Sequence, residues 1–271
     1  MNDWKEEEIE FLKNNYNLLS WQEIAKKTGR TRSAIFIKAK RLGLKKDEKY
    51  NYDYKFFDSI DNEYKAYWLG FFLADGYVVY NKENRNYELS IEINVKDKTH
   101  LEKFNKNISG NLNVMTRIRK PRVIKGVPVP YTNSCYIRLF NKHMVDSIIK
   151  CGCVPKKSKT IGLPDINDDL MRHLIRGLFD GDGSICSTRY MCDITTASQN
   201  MINDVSKFLN KNGIRFYVSP NRSNSDCFKI GMTGKDNVIK FLNLIYSDSN
   251  ISLDRKFNLY KKKIATLHSD V

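Results

Sequence analysis

Two nine-residue stretches decide how this chain is read: Trp68-Leu69-Gly70-Phe71-Phe72-Leu73-Ala74-Asp75-Gly76 and Ile175-Arg176-Gly177-Leu178-Phe179-Asp180-Gly181-Asp182-Gly183. In both, a glycine stands five residues before an aspartate, and Asp-Gly closes the run. A glycine inside a helix costs about 1 kcal/mol relative to alanine. That cost is offset where two helices must touch backbone to backbone, so Gly70 and Gly177 are expected at a helix–helix interface. Helices packed side by side there would bring Asp75 and Asp182 out together at one end. Two carboxylates roughly 5 Å apart repel by about 3 kcal/mol at an effective dielectric near 20. A divalent cation relieves that repulsion. Hard oxygen ligands suit Mg²⁺ (or Mn²⁺), with positions left for water and a substrate phosphate. A single Asp-Gly after a helix is an ordinary turn into a hairpin; two at matching points make a candidate site.

Working outward, the nonapeptides head two copies of one pattern, starting near Asp61 and Asn167. In the first, a helix holding Trp68 to Ala74 runs into the strand Gly76-Tyr77-Val78-Val79-Tyr80. The run Glu88-Leu89-Ser90-Ile91-Glu92-Ile93 alternates as a strand with one buried face. Thr99 to Ile108 reads as a helix and Cys135 to Leu139 as a strand. In the second, a helix ends at Arg176 to Asp180 and Gly183 to Ile185 opens a strand. Asp193 to Thr196 is a strand, Met201 to Asn210 a helix and Cys227 to Gly231 a strand. Repeating units of this kind imply an α+β fold of two pseudo-symmetric αββαββα lobes, over residues 61–165 and 166–271.

Residues 1–46 read as a separate module of three short helices. Asp3 with Glu6, and Ser20 with Glu23, have capping-box spacing and would start helices near Trp4 and Trp21. Thr31 caps a third, Gly43 ends it, and Ile35, Ala39 and Leu42 form its apolar stripe. Trp4 and Trp21 are expected in the module's core. Residues 47–60, charged and rich in tyrosine, read as a linker.

The net charge of +15, from 46 Lys+Arg against 31 Asp+Glu, favours a polyanionic partner. No apolar run is long enough to span a bilayer, and the N-terminus lacks the apolar core of a signal peptide. A soluble, cytoplasmic protein without a membrane partner is expected. The six cysteines include no C-x-x-C pair, which argues against structural zinc.

Both nonapeptides resemble the LAGLIDADG motif, and the architecture over residues 61–265 resembles a single-chain LAGLIDADG homing endonuclease. The resemblance implies a monomer that cuts both strands of a long, asymmetric double-stranded DNA site across the minor groove, leaving short 3′ overhangs. It implies that Asp75 and Asp182 bind metal at the scissile phosphates, joined by the carbonyls of Ala74 and Gly181, and that metal-activated water attacks in line. It also implies a basic residue near the end of each lobe, best matched by Lys157 and Lys256, which would stabilise phosphate charge or tune water. Asp97 and Ser198 are the nearest matches to the polar side chains that order water in the family.

The basic residues cluster where DNA would lie. From Lys103 to Val145 there is no Asp or Glu. Arg117, Arg119, Arg122 and Arg138 fall in that stretch, and arginines on a concave sheet face suit the major groove. Arg189, Arg215, Arg222 and Lys229 are their counterparts in the second copy. Ile24 to Lys46 holds nine basic residues and no acidic one. This region resembles a Myb-like helix-turn-helix, with Thr31 to Leu42 as recognition helix and Arg30, Arg32, Ser33 and Lys38 as contacts.

Two other functions fit the same scaffold: a DNA-binding regulator and an intron RNA maturase. A regulator should have lost an acidic motif residue, and this sequence keeps both. An intein is not expected, because the chain begins with Met and its end lacks a His-Asn junction.

Overall fold

A computed structural model describes residues 3–16, 19, 21–44, 51–118, 122–124, 127–129, 132–221 and 224–268. The chain forms two compact units, residues 1–51 and 52–271. The first holds α1 (Glu6–Asn15), α2 (Trp21–Thr28) and α3 (Arg32–Arg41). Leu12, Tyr16, Ile24, Ile35 and Ala39 form its core, with Trp4, Trp21 and Leu42 packed against them. Thr31 caps α3 as expected, accepting from the Ala34 amide at 3.2 Å. The first helix differs from the Asp3–Glu6 reading. It starts at Glu6, and Glu8 reaches back to the Lys5 amide at 2.8 Å. Ser20 lies outside the described residues.

The second unit runs α4 (Glu63–Asp75), β1 (Gly76–Asn81), β2 (Asn86–Asn94), α5 (Lys98–Asn107), β3 (Met115–Arg117), β4 (Arg122–Ile124), β5 (Val127–Val129), β6 (Ser134–Leu139) and α6 (Lys142–Lys150). It then repeats as α7 (Asp168–Asp182), β7 (Gly183–Ile185), β8 (Met191–Thr196), α8 (Gln199–Lys211), β9 (Tyr217–Asn221), β10 (Asn224–Thr233) and α9 (Lys235–Tyr246), followed by α10 (Asp254–His268). Each repeat makes an antiparallel four-stranded sheet, in the orders β1-β2-β6-β3 and β7-β8-β10-β9; β4 and β5 pair as a separate ribbon. This is the α+β, two-lobe fold that the repeat predicts. Alternation along the strands explains the packing: Leu89, Ile91, Ile137 and Leu139 are buried in the first sheet, Cys192, Ile194, Ile230 and Met232 in the second.

Helices α4 and α7 form the centre of the unit. Every residue from Ala66 to Leu73 is buried, which a helix covered on all sides requires. Among the described residues no helix is long and apolar enough to cross a membrane. The stretch 47–60 is not wholly a linker. Phe56 and Phe57 are buried in the main core, and Asp58 binds His143 at 2.8 Å and Ser147 at 2.6 Å on α6. Phe56 and Phe57 anchor the stretch to the core.

Candidate active site at the paired helix ends

The site begins with the two glycines. A Cβ on Gly70 would meet the backbone of α7, 2.9 Å from the Leu178 nitrogen and closer still to the Leu174 carbonyl. A Cβ on Gly177 would meet α4 reciprocally, 2.8 Å from the Phe71 nitrogen and closer to the Tyr67 carbonyl. The helices therefore touch through their backbones, and their C-terminal ends emerge together. Where they emerge, a Cβ on Gly181 would stand against Ala74 and 3.3 Å from Oδ2 of Asp75.

Each motif aspartate opens into its own depression. Asp75 shares one with Gly181, Asp97, Glu92 and Arg255. Asp182 shares the other with Ala74, Lys157, Ser158 and Thr196. The aspartate of one repeat is thus grouped with the helix-end backbone of the other. Both carboxylates reach solvent. Protein crowded around them raises the carboxyl pKa of Asp75 by desolvation, and that of Asp182 to about 7 by desolvation first and then by the charge of Asp75. Among the described residues neither carboxylate receives a hydrogen bond or an ion pair. Both also sit at helix C-termini, where backbone carbonyls lack intrahelical donors and the dipole is negative.

Lys157 and Lys256 sit behind this negative cluster. Lys256 is 2% exposed and donates to the carbonyls of Phe179 at 2.6 Å, Asp180 at 2.8 Å and Gly183. Lys157 is buried and donates to the carbonyl of Gly76, the equivalent of Gly183. Burial lowers the Lys256 pKa to about 8. Both ammonium groups thus donate to the carbonyls that end the motif helices, Lys157 also lines the Asp182 depression, and the charge of each favours the ionised form of Asp182.

The water-ordering pair also divides. Asp97 faces the Asp75 depression and pairs with Arg255 at 3.0 Å. Ser198 is fully buried; its hydroxyl donates to the Ile161 carbonyl and accepts from the Met201 amide as the cap of α8. Both residues precede the first helix after the strand pair, but Ser198 is consumed by capping, so its assignment does not hold. Thr196 lines the Asp182 side instead.

A buried polar network escaped sequence reasoning. Asp180 accepts from Tyr67 Oη at 2.7 Å, Tyr246 Oη at 2.5 Å and the Leu253 amide at 2.7 Å. Arg176, fully buried, donates to the carbonyls of Ile251 and Ile245 at 2.8 Å and to Glu63 at 2.5 Å. Together they fasten α4, α7 and the segment 251–256, which carries Arg255 and Lys256. A charged residue at a helix position that must be buried was the available signal.

The expected DNA contacts separate into groups. Arg117 and Arg138 lie on the outer face of the first sheet and Lys229 on that of the second, where Lys229 pairs with Asp193 at 3.5 Å. Arg189 is exposed in a bend and Arg215 in the irregular stretch before β9. Arg32 and Ser33 are exposed on α3. Arg30 is instead bound to Glu8 at 2.8 Å and to the Asp3 carbonyl at 2.8 Å, and Lys38 lies 5.9 Å from the Trp4 ring centroid, so both help hold the N-terminal unit together. Arg119, Arg222 and the side chain of Arg122 lie outside the described residues.

A glycine-packed helix pair with an aspartate at each end, flanked by two sheets, defines a two-repeat α+β protein with a paired acidic centre. The LAGLIDADG-like domain matches residues 62–144 and 169–246. The chain belongs to that family. It is 28% identical over 219 residues to the replication factor C small subunit of Methanocaldococcus jannaschii, covering 73% of this chain and spanning 11% of the length of that curated relative. Among solved structures it resembles the homing endonuclease I-WcaI bound to its DNA recognition sequence, with TM-score 0.51 and 16% identity over 80% of this chain and 96% of that one. It also resembles mesophilic variants of the homing endonuclease I-DmoI, with TM-score 0.50 and 16% identity over 78% and 99%. At that identity the likenesses establish the fold.

Proposed function

We propose that this chain is a site-specific endonuclease that cleaves both strands of double-stranded DNA at a long, asymmetric target and leaves short 3′ overhangs. The observation that carries the reading is the pair of carboxylates, Asp75 and Asp182, brought together at two negative helix ends with no hydrogen-bond donor or ion-pair partner among the described residues.

The donor set fits a divalent cation such as Mg²⁺ or Mn²⁺. Among the described residues no group of three or more His, Cys, Asp or Glu side chains is placed as a metal cage. Two carboxylates and the carbonyls of Ala74 and Gly181 would hold the ion, leaving sites for water and phosphate as Mg²⁺ prefers. When bound, the cation supplies Lewis acidity at the scissile phosphate and makes water more acidic. Lys157 and Lys256 keep the helix ends rigid and offset part of the carboxylate charge. Asp97 is held toward the Asp75 depression by Arg255, where it can accept a proton or orient water.

The sheets bind the two half-sites, so one chain suffices as a monomer. The N-terminal unit is read as a Myb-like helix-turn-helix that extends contact through the exposed Arg32 and Ser33 of α3. Asp75→Asn and Asp182→Asn are expected to lower double-strand cleavage by at least about a hundredfold while leaving DNA affinity within a few fold. Cleavage in Mg²⁺ and binding in Ca²⁺ are measured in parallel; full double-strand cleavage by the double variant would overturn the reading.

A further inference from the structure

The outer face of the first sheet carries an arrangement that the nonapeptides do not explain. With Leu89 and Ile91 of β2 and Ile137 and Leu139 of β6 buried, Glu88 and Glu92 fall on the opposite face with Tyr136 and Arg138. Arg117 joins them from β3. Tyr136 is the centre. The guanidinium of Arg117 lies 5.1 Å from its ring centroid and that of Arg138 4.9 Å. Each arginine also pairs with a glutamate of β2: Arg117 with Glu92 at 3.0 Å and Arg138 with Glu88 at 3.3 Å. The arginine side chains remain 42% and 43% exposed, and the glutamates 29% and 12%.

A face that only gripped phosphates would gain nothing from carboxylates, which repel them. A carboxylate can only accept hydrogen bonds. In the major groove the base edges offer it donors at cytosine N4 and adenine N6 alone. An arginine fork needs two adjacent acceptors, and guanine O6 and N7 supply them. An arginine and a glutamate held about 3 Å apart therefore match the edge of a single G·C pair, with the fork on guanine and the carboxylate on cytosine.

We infer that Arg138–Glu88 and Arg117–Glu92 are two readers of G·C base pairs, oriented by Tyr136, in the half-site bound by the first repeat. The inference rests on the proposed action on DNA and names part of its target. Glu88 and Glu92 are four residues apart on one strand, a span of about 13 Å. Along the groove that separates the two G·C pairs by about four base-pair steps. The second sheet presents Lys229 against Asp193 at this face, a point charge in place of a planar fork, so the double reader belongs to the first repeat.

The test is selection of bound duplexes from a randomised library by the full chain in Ca²⁺, followed by cleavage of the selected sites in Mg²⁺. Wild type is expected to select two G·C pairs about four positions apart in one half-site. E88Q and E92Q should each lower discrimination at one of those positions by about tenfold, the scale of a good bidentate base contact, with preferences in the other half-site unchanged. Y136A should weaken both positions together. Selected sites without the two G·C pairs, or preferences that E88Q and E92Q leave unmoved, overturn the inference; cleavage of those same sites would leave the endonuclease reading standing. Sites that carry the G·C pairs but are not cut in Mg²⁺ uphold the readers and overturn the endonuclease. Retention of no DNA at all overturns both.

Discussion

At the scale of single residues, two glycines decide the geometry of everything else. A methyl group at Gly70 or Gly177 would enter the opposite backbone, which cannot move aside as a flexible side chain can. Gly70→Ala or Gly177→Ala is therefore expected to destabilise residues 52–271 by about 3 kcal/mol or more, the upper end of overpacking costs. A chemical-denaturation midpoint checks this, and an unchanged midpoint would show that the helices can part without loss. These glycines and the two aspartates were legible because they recur at fixed spacing. Arg176 and Asp180 stand in the same nonapeptide, yet their partners do not. Glu63, Tyr246 and Leu253 are 113, 66 and 73 residues away, and such pairings leave no local periodicity to read. Ser198 was misassigned for a related reason: a serine before a helix reads the same whether its hydroxyl caps the helix or faces a site.

At the scale of elements, the buried histidines make acid stability a property of the helices. His100 of α5 lies under α4, bonded to Tyr67 at 2.9 Å, and burial lowers its pKa to about 3. His173 of α7, buried beside Arg176, is lowered to about 4. In the unfolded chain both return to near 6.5. Below that value the unfolded state binds protons that the folded state refuses, so stability is complete above pH 6.5 and falls as pH drops toward the folded values. Each histidine should lower the unfolding free energy measured in urea by up to about 1.4 kcal/mol per pH unit between about pH 6.5 and pH 5, a loss that the proton taken up by Asp182 in the folded state partly offsets. His100→Gln should remove part of that slope. Strand alternation made both sheets legible, because one buried face leaves a period of two. Burial of Phe56 and Phe57 was not, since two aromatics in a polar stretch carry no period.

At the scale of the whole molecule, the two repeats share a scaffold but not a chemistry. The Asp75 depression holds the Asp97–Arg255 pair, whereas on the other side Ser198 is buried in a cap and Thr196 takes the surface position. Two pockets so furnished should not work at one speed. On a supercoiled plasmid carrying a target, the first break relaxes the circle and the second opens it to a linear form. Unequal pockets predict that the relaxed circle builds up before the linear product, and that Asp97→Asn alters how much of it accumulates. A time course on an agarose gel reads both. Direct passage from supercoiled to linear DNA would mean that the pockets keep pace despite their different side chains. Where the relaxed circle builds up, the torn symmetry of one capping serine and one paired aspartate surfaces as a lifetime, the interval during which the DNA holds a single nick that ligase can still close.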